Sequence, residues 1–474
     1  MRMSDAVIVA MAAVGLVALG WLLWPAAAPA RFDAAGEIAP PVVPPARGAA
    51  AAVDETVAPR PNAGPNAPGQ PNDGQMASAP EGFDPSAAWP EFHGAGRTNV
   101  SPDRGLLRRW PEGGPPLVWK FSECGQGYSG VSIAEGMIFT AGDFDDQEMV
   151  LALDLDGKLL WKKPNGEAWL GSSPGSRTTP TYSEGLLYQM NPNGRLAALR
   201  AKDGEEVWAV DLKKEFDARF GIWALAENVV VDGPRVLCMP GGPRGRIVAL
   251  DKRTGKTFWV NTEIDDTAAY CSPLVVEHHG IRQLVTMTQK SVVSVDVATG
   301  KIVWTAPFVP RSPQNALTPV FRDGYVFVAC GHSSGGTVMK VDYERKTASP
   351  VWHREDLDNC HGGAVLIGEM LFGCGCRQGG KNFYCVDFLT GRTIQLDPTL
   401  GKVGLTVADG MLYCLNHQGT MSLVEVRRDG FEIVSQFQLK RKPANSYLAH
   451  PVVCGGRLYL RCDEELLAFD VRAK

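Results

Sequence analysis

The chain carries no surplus of positive charge: 47 Lys and Arg stand against 52 Asp and Glu, a net charge of −5 over 474 residues. No basic stripe with interleaved aromatics runs along it, so nucleic acid is not expected as a partner. Charges alternate in sign without long blocks, the pattern of an ordinary solvated surface. There is no Cys-x-x-Cys-His, so the chain attaches no haem of its own. No two cysteines are adjacent, and no Ser-His-Asp order with a strained elbow surrounds His332, which lies beside Ser333-Ser334-Gly335-Gly336. Pro240-Gly241-Gly242-Pro243-Arg244-Gly245 has glycines but lacks the Lys-Ser/Thr and following helix that a phosphate loop needs.

Large apolar residues are almost absent from Pro25 to about Ser86, where Ala, Pro, Gly and Asn dominate. Such a stretch buries too little surface to offset the entropy of ordering, and residues 25–88 read as a disordered, partly extended linker. Ahead of it, residues 6–24 form an unbroken apolar run of nineteen, with Trp21 and Trp24 at its far end. At about 1.5 Å per residue, nineteen residues just span a hydrocarbon layer of roughly 30 Å. Ala28-Pro29-Ala30 would also suit a signal peptidase. Residues 1–24 therefore read as a signal-anchor or a cleaved signal peptide. Either places the remainder in the periplasm or cell envelope, held at the inner membrane by residues 6–24 or secreted after cleavage. No cysteine lies near this segment, which excludes a lipoprotein acylation site.

From Trp89 onward the composition is that of a folded domain, and it is repetitive. Its clearest unit is Ala/Val-x-Asp-x-x-Thr-Gly-Lys-x-x-Trp, seen in residues 249–259 (ALDKRTGKTFW) and 294–304 (SVDVATGKIVW). Residues 152–161 are one shorter, 198–208 have lost the Asp, 341–352 are stretched, and 385–395 end in Gln where Trp is expected. Each unit predicts two strands about a tight turn, in which the Asp bonds turn amides and Gly takes positive φ. The Trp then buries its ring against a neighbouring sheet. Short steps open each repeat at Ser129, Thr179, Glu227, Ser272, Thr318, Gly362, Gly404 and His450, spaced by 50, 48, 45, 46, 44, 42 and 46 residues. Eight steps, each followed by an apolar–Gly–apolar hairpin, predict eight four-stranded blades.

The last repeat ends at Leu467-Ala468-Phe469-Asp470-Val471 without a Trp-bearing fourth strand, while Leu117-Val118-Trp119-Lys120-Phe121 precedes the first repeat as an orphan. The expected fold is thus an all-β, eight-bladed β-propeller over residues 89–474, closed by pairing of an N-terminal strand with the C-terminal blade and preceded by the apolar helix and linker.

The steps begin the innermost strands, so residues around them should ring one mouth of the central channel. The candidates are Tyr128, Arg177, Trp223, Glu227, Asn228, Tyr270, Asn315, His361 and His450. Such a ring offers aromatics for stacking, a cation for a carboxylate, and a Glu–Asn pair able to ligate a hard ion. It equally offers groups that satisfy turn backbones and fill the channel. The eleven cysteines, an odd number, leave at least one thiol unpaired unless chains cross-link. Cys360, Cys374, Cys376 and Cys385 fall in one repeat, but their spacing matches no structural zinc pattern. Aligned by repeat, Cys238 and Cys414 share one second-strand position and Cys330 and Cys462 the next, as expected of small buried hydrophobes, with a disulfide or metal or redox chemistry as the alternatives.

The tryptophan-bearing units resemble those of the quinoprotein-like, pyrroloquinoline-quinone (PQQ) repeat superfamily. It includes quinoprotein alcohol dehydrogenases and the propeller subunit of the bacterial outer-membrane barrel-assembly machinery. Trp89-Pro90-Glu91-Phe92-His93-Gly94, with Arg97, Asn99, Val100 and Ser101, also resembles the opening of a bacterial group of PQQ-like propellers. The resemblance implies the fold; the repeat stabilises blades whether or not a quinone is bound. Dehydrogenases of the family imply PQQ, Ca²⁺, a carboxylate base and commonly a disulfide between adjacent cysteines, which this chain lacks; Cys374-Gly375-Cys376 comes nearest. The expected function is a binding or scaffold module in the envelope, tethered through its N-terminal segment and engaging a protein, peptide or glycan, with no catalytic residue and no metal site assigned. The alternative is a PQQ-dependent alcohol or sugar dehydrogenase passing electrons to an external acceptor.

Overall fold

The repeat turns form as their side chains dictate. Asp251 Oδ1 accepts from the backbone N–H of Arg253 and Thr254 at 3.0 and 2.8 Å, and Asp154 Oδ1 accepts from Asp156 and Lys158 at 3.0 and 2.8 Å. Each turn joins two antiparallel strands, and each repeat adds two more. The computed structural model describes residues 84–376, 382–440 and 447–473. The expected apolar segment 6–24, and residues 25–83 of the expected linker, lie outside the described residues. Among the described residues no helix is long and apolar enough to cross a membrane.

The described chain is all-β: eight four-stranded antiparallel units, the seventh extended by the short parallel strand Val100–Ser101, with one short helix, Leu212–Phe216, and one 3-10 turn. Seven units are consecutive meanders over residues 132–167, 181–211, 230–261, 274–307, 320–354, 364–397 and 403–438. The eighth takes three strands from residues 452–470 and its outer strand from Leu117–Phe121, which pairs antiparallel with Glu465–Asp470. Leu117 lies opposite Phe469, and Phe121 opposite Leu466. Apolar clusters join each unit to the next. One cluster holds Ile133, Ile138 and Leu151 of the first unit together with Val452, Tyr459 and Leu466 of the eighth.

The outer-strand tryptophans lock these joints in a repeated way. Trp161 Nε1 donates to Ala201 O, Trp208 to Lys252 O, Trp259 to Val297 O and Trp352 to Phe388 O, each at 2.9 to 3.0 Å and each into the following unit. Trp119 does the same from the eighth unit to Leu155 O of the first, at 2.8 Å. Beneath each of these rings lies the turn glycine of the receiving unit. A Cβ on Gly204, Gly255, Gly300, Gly391 or Gly157 would stand 2.3 to 2.8 Å from Trp161, Trp208, Trp259, Trp352 or Trp119 or, at Gly204, equally close to the Lys163 stem. Burying an indole face is worth a few kcal/mol only if nothing lifts the ring away.

Three outer strands depart from the pattern, those of the fourth, sixth and seventh units, and the last of these carries no Trp. The turn of the fifth unit has Lys346 where others have Gly, at φ 54. Trp304 therefore has no glycine to cover; it is fully buried and donates to Gln283 Oε1 at 2.9 Å. The outer strands of units four and five bridge instead, Thr305 opposite Thr347, so eight strands form one sheet where two separate blades were expected. In the sixth unit Gln395 replaces the Trp, exchanging two hydrogen bonds with the Phe431 backbone of the seventh at 2.9 and 2.7 Å.

Gly300→Ala and Gly136→Ala separate this interlock from backbone strain, because both glycines have φ near 72°. Nothing lies within 4 Å of a Cβ on Gly136, whereas one on Gly300 would meet Trp259 at 2.3 Å. The expected cost is about 1 kcal/mol for Gly136→Ala and about 1–3 kcal/mol more for Gly300→Ala, measured by urea denaturation. Equal losses would refute the interlock.

Candidate functional site: a cavity at the innermost strands

The steps that open each innermost strand are linked laterally. Gly130 N–H donates to Thr179 Oγ1 at 3.0 Å, Thr179 N–H to Asn228 Oδ1 at 2.6 Å, and Asn228 Nδ2 to Ser272 Oγ at 2.8 Å. This belt ties units one to four and sets the wall of a cavity of about 860 Å³. The segment before the first unit adds to it. Trp89 pairs with Ile133, Gly94 (φ 72) packs on the Trp89 ring, and buried Arg97 donates to Asn228 O at 2.7 Å and Pro273 O at 3.0 Å. That anchoring brings Phe92 to the cavity surface.

Of the sequence-derived candidates, Tyr128, Arg177, Trp223, Asn228, Tyr270, His361 and His450 line the cavity. Glu227 and Asn315 do not. Glu227 is buried and accepts from Met239 N–H at 2.9 Å, its other oxygen without a hydrogen-bond partner. Asn315 Nδ2 donates to Thr288 O at 2.6 Å. Both occupy positions whose side chains turn into the wall between units, so the Glu–Asn pair does not meet as a hard-ion ligand set. Asn228 lines the cavity, but its amide is engaged in the belt.

The lining is cationic and aromatic. The Arg177 guanidinium donates to the carbonyls of Trp223, Ser173 and Gly175, which satisfies its donors without neutralising its charge. Trp223 and Tyr270 meet edge to face, 5.7 Å apart at 70°. On the opposite side His450 Nε2 donates to His361 O at 2.8 Å, which leaves its Nδ1 to accept from His93 Nε2 at 3.1 Å. His361 and His417 stack, with Nε2 atoms 3.1 Å apart. Burial lowers the pKa of His93, His361 and His450 and favours the neutral rings that this tautomer chain requires.

Phe92, His332, Cys360, Cys376, Lys402 and His417, none of them among the ring candidates, also line the cavity. All but Cys360, which directly precedes His361, come from connections whose register the repeats do not define. Three converge: one ligating atom each from His332, Cys360 and Cys376 lies within 4.8 Å of the others. All eleven cysteines are buried free thiols. Cys238, Cys330, Cys374, Cys385, Cys414 and Cys462 belong to the apolar clusters between units.

A quinone with Ca²⁺ does not fit these residues. No Asp or Glu is among the described lining residues, so neither a carboxylate ligand for a hard cation nor a carboxylate base faces the space. The Trp223–Tyr270 pair crosses at 70°, and His361 and His417 already stack on each other, so neither pair offers two separated parallel faces for a flat tricycle.

Tryptophan-locked, four-stranded units beside a lined cavity define a β-propeller of the PQQ-repeat, quinoprotein-like class. Residues 117–396, more than half the chain, match the family model described as outer membrane protein assembly factor BamB, and the chain belongs to that family. It is 28% identical over 247 residues to outer membrane protein assembly factor BamB of Burkholderia pseudomallei, covering 46% of this chain and 55% of that protein. It is 29% identical over 166 residues to quinohemoprotein alcohol dehydrogenase ADH IIB of Pseudomonas putida, covering 31% of this chain and 23% of that enzyme. The match thus spans a quarter to about half the length of these relatives. The crystal structure of quinohemoprotein alcohol dehydrogenase from Comamonas testosteroni superposes with a TM-score of 0.60 at 13% identity, over 83% of this chain and 82% of that one, a likeness of fold alone.

Glu227 gives the cavity wall a pH signature. Burial pushes its carboxyl up to about 8 from an ordinary 4.5. The neutral acid therefore stabilises the fold fully below about 4.5, and that contribution is lost as pH rises through about 8. The urea midpoint is expected to fall between about pH 5 and about pH 9, and to fall less in Glu227→Gln. An unchanged pH dependence in the variant would contradict the assignment.

Proposed function

We propose that this chain is a closed eight-bladed propeller of the cell envelope that binds a protein or peptide partner at its central cavity, and that it is not a quinone dehydrogenase. Closure rests on the strand Leu117–Phe121 beside Glu465–Asp470 and on the cluster shared by first and last units. The observation that carries the functional reading is the chemistry of the lining: Arg177, Lys402, aromatic rings and histidines, with no carboxylate among the described lining residues. A low-dielectric, concave, cationic surface attracts an anionic group and offers no carboxylate to hold a hard cation beside a quinone. An acidic peptide segment or a chain's terminal carboxylate is the chemistry that suits it. The family description, an outer membrane assembly factor, agrees with a protein partner. Envelope location follows in this reading from residues 6–24, retained as an anchor or removed by cleavage.

Two measurements test the proposal. Mixing the protein with PQQ and Ca²⁺ is expected to give no stoichiometric quinone complex and no dye-linked alcohol oxidation; a tight complex with turnover would overturn it. Titration calorimetry with oligoglutamate and oligolysine peptides is expected to give binding of the former alone, weakened about tenfold, roughly 1.4 kcal/mol, by Arg177→Gln. Indifference to peptide charge would contradict the cationic site.

A further inference from the structure

His332, Cys360 and Cys376 come from three separate chain segments, yet the fold brings them to one spot on the cavity wall. Several features hold them there. Asp358, fully buried, accepts from Ser333 N–H at 2.8 Å and from Cys376 N–H at 2.7 Å, so one carboxylate clamps the loops that bear two of the three side chains. Gly331 supplies the space: a Cβ there would lie 2.1 Å from Cys360 Sγ. His332 and Ser333 are both left-handed, at φ 57 and φ 65, a backbone cost that surrounding contacts must maintain. A packing cysteine needs none of this. Cys238 and Cys414, for comparison, simply sit among apolar neighbours on inner strands.

Two thiols and an imidazole are the donor set of a thiophilic d¹⁰ ion. In a tetrahedral zinc site, metal–sulfur bonds of about 2.3 Å and metal–nitrogen bonds of about 2.0 Å put donor atoms roughly 3.5–4 Å apart. Closing the present spread, at most 4.8 Å, takes a shift of about 1 Å or less. Lys402 Nζ lies 3.3 Å from Cys376 Sγ and is a polar partner of that sulfur. Its flexible stem lets it withdraw into the cavity when a metal takes over that role.

We propose that His332, Cys360 and Cys376 form a Zn²⁺ site with three protein ligands, and that its fourth coordination position faces the central cavity. On binding, zinc–sulfur bonds form to both cysteines and one zinc–nitrogen bond to His332. Remaining thiol protons pass to solvent, and no oxidation state changes. Asp358 is a positioning residue that holds the loops, not a ligand. The open position would let the ion take a donor from whatever enters the cavity, whether or not the acidic-peptide reading is correct.

The test uses the folded protein with Co²⁺ and Zn²⁺ as probes. Cobalt titration is expected to give a thiolate-to-metal charge-transfer band that saturates at one equivalent and is displaced by Zn²⁺. Cys360→Ser and Cys376→Ser should each reduce the band by about half or more, while Cys414→Ser leaves it intact. A measurement on wild-type protein alone guards against misfolded variants. Zinc is expected to slow alkylation of Cys360 and Cys376 at least tenfold, read by peptide mass spectrometry under native conditions. No charge-transfer band, a band that survives in the Cys360→Ser/Cys376→Ser double variant, or unprotected alkylation in excess zinc would overturn the proposal. So would a Cys360–Cys376 disulfide in the protein as isolated.

Discussion

The structure depends on one contact made again and again: an indole ring lying flat on a glycine of the neighbouring unit, its N–H bonded to a carbonyl there. A four-stranded meander has two faces and cannot bury both alone. Each unit therefore needs a neighbour on each side, and the contact with Trp119 carries that requirement from the last unit to the first. Where the glycine is missing, at Lys346, the units join through their outer strands; where the tryptophan is missing, at Gln395, an amide makes the junction. The joint persists and its chemistry changes, as expected if burial of each face, not the indole itself, is the binding constraint.

Much of this was legible in the chain because the same physical problem is solved eight times. Asp, Gly and Trp at fixed offsets define turn, strand pair and joint together, and the spacing of the steps supplies the count. The cavity was legible in part for the same reason: Tyr128, Arg177, Trp223, Tyr270, His361 and His450 lie at or just ahead of the steps and line the cavity. Glu227 and Asn315 sit beside the same steps, but both lie ahead of the strands, where no alternation fixes the facing, and their side chains hydrogen-bond into the wall. His332, Cys376 and Lys402 lie on connections whose path is irregular, so no repeat offset predicts them. Their convergence arises from Asp358 and Gly331, which act only in three dimensions.

The family contains proteins named as assembly factors and its relatives include proteins named as dehydrogenases, built on one scaffold. What separates such functions is the lining of the central space rather than the blades. Here the lining holds cations, neutral histidines and thiols, while the buried carboxylates Glu148, Glu227 and Asp358 stay behind the wall. Both Glu148 and Glu227 are pushed by burial up to about 8, so neither gives the cavity a negative charge at neutral pH.

On the proposed reading the cavity, not the outer rim, engages the partner. A photo-activated cross-linking side chain placed at Trp223, within the lining, and separately at Phe258, 48% exposed on an outer strand, tests this in intact cells. A discrete adduct from position 223 and none from position 258 is the predicted result. Adducts from position 258 alone would contradict it.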